Sequence, residues 1–82
     1  MIDRDGPLPP YLQLAAIIRN QIRSGELKRG ARLPSIMKMG EQYGVAQITV
    51  QKAIQVLKEE KLIIAHQGYG TFVAPGESPP GA

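Results

Sequence analysis

Between Ala46 and Lys52 the chain carries Gln47, Ile48, Thr49, Gln51 and Lys52, a short run that mixes hydrogen-bonding, methyl-bearing and cationic side chains. Glutamine can pair in bidentate fashion with the N6 and N7 edge of adenine, Ile48 and the Thr49 methyl can meet a thymine methyl, and Lys52 can hold phosphate or guanine. Each correct bidentate pair discriminates between bases by about 1–3 kcal/mol. The same Gln-and-Lys face would also serve as the solvated side of an amphipathic helix, so the surrounding elements decide between the two. Catalytic chemistry has no comparable set. His66 is the only histidine and cysteine is absent, which excludes disulfides and thiolate chemistry and leaves no metal-ligand cluster. The serines have no spaced partners for nucleophilic catalysis. No enzyme activity, cofactor or metal is expected.

The elements that must position these residues follow from periodicity. Tyr11, Leu14, Ala15, Ile18 and Ile22 recur at helical spacing, with Pro10 suited to the first turn and Gly25 to the stop. After the turn-rich Lys28-Arg29-Gly30, a second stripe of Ile36, Met39, Gly40 and Tyr43 marks helix two, with Ser35 placed to cap it and Gly44 to end it. Helix three begins near Ala46, turns Val50, Ala53, Ile54 and Leu57 inward, and extends to about Glu60 or Lys61; its other side holds Gln47, Gln51, Gln55 and Lys58. Two short helices joined by a tight glycine turn are the signature of a helix-turn-helix, in which the first residues of the second helix reach base edges. The period then changes. Leu62 to His66 and Gly70 to Val73 are β-favouring runs separated by Gln67-Gly68-Tyr69, which reads as a hairpin, and a short strand at Arg32-Leu33 could pair with it. The expected fold is mainly α with a small β-hairpin, a winged helix-turn-helix of three helices plus wing.

Length and charge agree with this reading. The 82 residues allow one small domain, which buries only about 60% of its unfolded surface and leaves little room for an enclosed pocket. A formal net charge of +3 favours a polyanionic partner. Residues 1–9 read as a flexible N-terminal arm, 10–74 as the folded domain, and 75–82 as a disordered tail or the start of a linker. No apolar run approaches a membrane span, so a cytoplasmic location without a membrane partner is expected. Lys28, Arg29 and Arg32 form a basic cluster read as a solvated loop, with backbone contact by Arg32 as the minority alternative. Gly68 would let the wing's backbone approach phosphate or the minor groove, and Tyr69 could lie on sugar or cover the hairpin. For His66 a wing-strand side chain is expected, with a phosphate contact when protonated.

Taken in order, Tyr11-Leu12-Gln13-Leu14, Gly25-Glu26-Leu27-Lys28-Arg29-Gly30, Leu33-Pro34-Ser35, Tyr43-Gly44-Val45, Thr49-Val50, Lys52-Ala53 and Gln67-Gly68-Tyr69-Gly70-Thr71-Phe72-Val73 form a specific pattern. With them the chain resembles the DNA-binding domain of the GntR family of bacterial transcription regulators. The resemblance implies a winged helix that binds a near-palindromic double-stranded DNA operator as a dimer, usually repressing transcription until a small ligand binds a separate C-terminal domain. The homodimer would form on DNA or through that missing domain. The residues expected to touch DNA are Ser35, Met37, Lys38, Gln47, Ile48, Thr49, Gln51, Lys52, His66, Gln67, Gly68 and Tyr69.

Several positions depart from the family pattern. Ile36-Met37 stands where Glu-Arg is typical, Ala46-Gln47 where Ser-Arg is typical, Gln51 where arginine is usual, and Ala65, His66 and Tyr69 where basic residues are common. Fewer arginines imply weaker binding to arbitrary DNA and a preference shifted from G·C toward A·T. The alternative is weak or auxiliary DNA binding, with Ile36 and Met37 as an apolar docking surface. Ala46 also forgoes a side-chain cap, at a cost to helix three of about 1 kcal/mol relative to serine.

Overall fold

The computed structural model of the chain describes residues 2–3 and 5–75. Helix α1 (Pro10–Ser24) starts on Pro10, whose missing N–H would be an orphan there in any case, and stops at Gly25 in the left-handed region. Its stripe of Leu14, Ala15, Ile18 and Ile22 is buried, as the spacing predicts. Helix α2 (Ile36–Tyr43) is capped by Ser35, whose Oγ accepts from the Lys38 N–H at 3.1 Å. It ends at Gly44 (φ 68°), and the Val45 N–H then reaches back to the Gly40 carbonyl at 3.0 Å. The chain doubles back closely here, since a Cβ on Gly40 would lie 2.9 Å from the Val45 carbonyl oxygen. Helix α3 (Gln47–Glu59) follows after a short link, completing the helix-turn-helix.

The end of α3 is built differently from the other two. Lys61 N–H donates to the Lys58 carbonyl and Leu62 N–H to that of Leu57, the paired bonds of a Schellman stop. That motif puts Lys61 at φ 63°, a region that glycine fills at α1 and α2 but a lysine occupies here. The residues beyond turn into strand β1 (Ile63–His66), which pairs antiparallel with β2 (Gly70–Val73) in the register Ile63↔Val73 to His66↔Gly70. β1 begins one residue later than the apolar pattern suggests because Leu62 belongs to the helix stop. The expected strand at Arg32-Leu33 is present as a bridge: Arg32 pairs with Phe72, Leu33 N–H donates to Thr71 at 2.8 Å, and Val73 N–H donates to Ala31 at 2.8 Å.

One core joins these parts. Leu14 and Ile18 of α1 pack with Val50 and Leu57 of α3 and with Ile63 and Val73 of the hairpin, all essentially without exposure. Each such side chain contributes about 1.5–3 kcal/mol by leaving water. At the rim, Arg19 clamps the end of α3: its Nε and Nη2 donate to the two Glu60 carboxylate oxygens at 2.8 and 2.6 Å. The guanidinium holds the Glu60 carboxyl below the usual glutamate range, and the Arg19 pKa is raised in return. Ahead of α1, the Gln13 side chain exchanges hydrogen bonds with the Asp3 backbone and donates to the Leu8 carbonyl, and Ile2 packs against the core. Met1, Arg4 and all but Pro75 of the expected tail, 75–82, lie outside the described residues. Among the described residues no helix is long and apolar enough to cross a membrane.

Candidate nucleic-acid interface

Burial of Val50, Ala53, Ile54 and Leu57 rotates the opposite face of α3 outward. Gln47, Ile48, Gln51 and Lys52 are all exposed on it, Ile48 at 57%, whereas Thr49 is half-buried on its flank. Ala46 occupies the N-cap position in an extended conformation without a side-chain hydrogen bond, so the first turn of α3 presents N–H groups that no capping oxygen covers. Lys52 is less free than its exposure suggests. Its Nζ lies 5.8 Å from the ring centroid of Tyr11, which ties a cation of the outward face to the first turn of α1.

At the start of α2 the expected contacts divide by role. The Ser35 oxygen is engaged in capping, leaving its hydroxyl proton free to donate elsewhere. Met37 and Lys38 are exposed, Met37 at 61%. Ile36 instead packs, half-buried, against the core, so the apolar docking pair envisaged at Ile36 and Met37 reduces to Met37 alone. The inward stripe of α2 claims Ile36 because it precedes buried Met39 by three residues and Gly40 by four.

The wing tip is a tight turn closed by Tyr69 N–H donating to the His66 carbonyl at 2.9 Å, with Gly68 at φ 86°. No L side chain occupies that geometry without strain, and a glycine there leaves backbone accessible from outside. Gln67 and Tyr69 are exposed, Tyr69 at 73%, whereas the His66 ring meets Phe72 edge-on with centroids 5.5 Å apart. His66 therefore has an aromatic partner on its own hairpin. Two residues outside the expected contact set, Tyr11 and Arg32, lie beside it. Their signal in the sequence is weak: an aromatic in a first helical turn, and an arginine that reads as part of the solvated basic cluster with Lys28 and Arg29.

The assembled surface combines an exposed helix start, a second helix start beside it and a hairpin tip, the arrangement with which winged helix-turn-helix modules in general set a helix into a major groove. Among the described residues no group of three or more His, Cys, Asp or Glu side chains could hold a metal ion. Residues 10–73 match the family model described as bacterial regulatory proteins, gntR family. The HTH-type transcriptional repressor NagR of Bacillus subtilis is 37% identical over 73 residues, 89% of this chain and 30% of that protein. The regulator GgaR of Escherichia coli is 41% identical over 65 residues, 79% of this chain and 26% of that protein. The chain thus spans less than a third of the length of these curated relatives. Among solved structures, AraR(DBD) in complex with an operator superposes with a TM-score of 0.80 at 32% identity, covering 90% of this chain and 89% of that one. YtrA from Sulfolobus acidocaldarius, a GntR-family transcription factor, gives a TM-score of 0.84 at 34% identity over 99% of this chain and 84% of that one.

Proposed function

Because the chain belongs to the gntR family of bacterial regulatory proteins, we propose that it binds double-stranded DNA sequence-specifically and acts in transcription regulation as a repressor. Helix α3 enters the major groove by its first two turns. Gln47 and Gln51 read adenine edges, Ile48 with Met37 meets thymine methyls, and Lys38 and Lys52 hold phosphates. The wing around Gly68 lies against the adjacent minor groove or its phosphates. A near-palindromic operator takes two copies, one per half-site, and the site of action is the cytoplasm.

The observation that carries this reading is the superposition over 90% of the chain on a relative solved on its operator, AraR(DBD). Outward exposure of Gln47, Ile48, Gln51 and Lys52 adds chemical support. Selection of bound sequences from a random duplex library tests it. Enrichment of a motif with A·T steps in each half-site is expected, with affinity that falls steeply as salt is raised. Equal binding to selected and scrambled duplexes would overturn it in favour of an auxiliary, protein-binding role. A consensus rich in G where Gln47 and Gln51 contact the groove would overturn the assignment of the glutamines alone.

A further inference from the structure

From Leu62 to Ala74 the hairpin contains no lysine or arginine, so a wing lying on phosphate has no permanent cation of its own. One is brought to it from elsewhere in the chain. Arg32 pairs with Phe72 on the open edge of β2, and its guanidinium extends along the sheet across Gly70. A Cβ on Gly70 would sit 2.9 Å from Arg32 Nε and 3.2 Å from Nη2, so the absence of a side chain there lets the guanidinium lie against the wing backbone. Gly70 is also at φ 115°, which no other residue type adopts readily. The same arginine lines a groove of about 240 Å³ whose other walls include Ser35 at the start of α2 and Gly70 and Thr71 of the wing. Among the described residues the salt bridge found is that of Arg19 with Glu60, and none of their carboxylates is ion-paired with Arg32.

The geometry points to Arg32 as a DNA-backbone contact that supplies the wing's missing positive charge. This rests on the DNA-binding reading above and deepens it. A duplex with α3 in its major groove and the wing alongside passes its backbone from the start of α2 to the wing tip, across the seam that Arg32 borders. A guanidinium there offers several N–H donors to phosphate oxygens, and it reads charge rather than sequence.

The test is anisotropy titration of the selected duplex and a scrambled one, over a range of salt, with the wild-type chain, R32Q, R32K and R23Q. Arg23 is an exposed cation of the last turn of α1, so R23Q controls for net charge. R32Q should bind both duplexes more weakly and to the same degree, and the wild-type advantage should shrink by about three- to fourfold as salt rises from roughly 50 to 200 mM, the signature of one phosphate contact fewer. R32K should keep most of the salt slope and R23Q should match wild type. Thermal unfolding of each variant separates folding from binding. Unchanged affinity and slope for R32Q, or weaker affinity with an unchanged slope and a lowered Tm, would overturn the inference while leaving selective wild-type binding intact. Absence of selective binding by the wild-type chain would instead refute the function on which it rests.

Discussion

The substitution A46S should stabilise the domain, and the structure contains its own calibration. Ser35 and Ala46 occupy the same N-cap position on α2 and α3, with nearly the same backbone: φ −64°, ψ 161° for Ser35 and φ −67°, ψ 154° for Ala46. The Ser35 oxygen accepts from the N–H three residues on, Lys38, at 3.1 Å. A serine at 46 would place its oxygen equivalently against the Thr49 N–H, which now has only the Ala46 carbonyl at 3.0 Å. Residue 46 is exposed, so the new hydroxyl buries nothing polar. An N-cap hydroxyl is worth about 0.5–2 kcal/mol, typically ~1. For a domain of this size that is a rise in Tm of roughly 4–8 °C per kcal/mol. Thermal and urea unfolding of A46S, S35A and the wild-type chain provide the assay: A46S should rise by about as much as S35A falls, at unchanged m-value. A fall for S35A without any rise for A46S would refute the claim that α3 begins with an unfilled cap.

Three further outcomes follow from particular contacts. K61G should raise stability by up to about 1 kcal/mol, because it relieves a left-handed lysine at the α3 stop, less the extra entropy glycine carries when unfolded; a loss in urea unfolding would contradict the Schellman geometry. E60Q should cost at most about 1 kcal/mol at neutral pH, since both partners of the clamp are partly solvated and screening discounts the pair. The folded-state pKa of Glu60 is lowered, so its contribution is present above the unfolded value, about 4.3, and lost as pH falls through the lower folded one. Wild-type and E60Q stabilities should therefore converge in acid, and a gap that widened there would reverse the assignment. Replacing thymine by uracil across the selected duplex removes only methyl groups, so affinity should drop if exposed Ile48 and Met37 meet them. Equal affinity in anisotropy titrations would remove both residues from base recognition.

The elements were legible because each is encoded locally. The buried stripes of α1, α2 and α3, the Ser35 cap and the glycine stops at 25 and 44 are relations between residues a few positions apart, and all of them recur in the structure. The stop of α3 was legible only to within a residue, because the position that punctuates it holds Lys61 rather than glycine. What the sequence did not reveal is the pairing of side chains remote along the chain. Arg19 with Glu60 and Lys52 with Tyr11 depend on how α1 settles on α3, which no local period specifies.

Arg32 carries this point furthest. Read by segment, it belongs to a basic loop before α2 and the hairpin has no cation. Read in space, the bonds of Ala31 and Leu33 to Val73 and Thr71 make its segment an edge of the same sheet, so the residue is part of the wing. The arginines missing from α3 and the hairpin then do not by themselves measure the charge that the interface can present to a duplex. Under the proposed function, glutamine rather than arginine at positions 47 and 51 would change which bases are preferred, whereas a backbone cation supplied from a neighbouring strand would preserve affinity without restoring that preference. If both proposals hold, specificity and affinity are carried by different segments of this chain, and substitutions at Gln51 and at Arg32 should separate them.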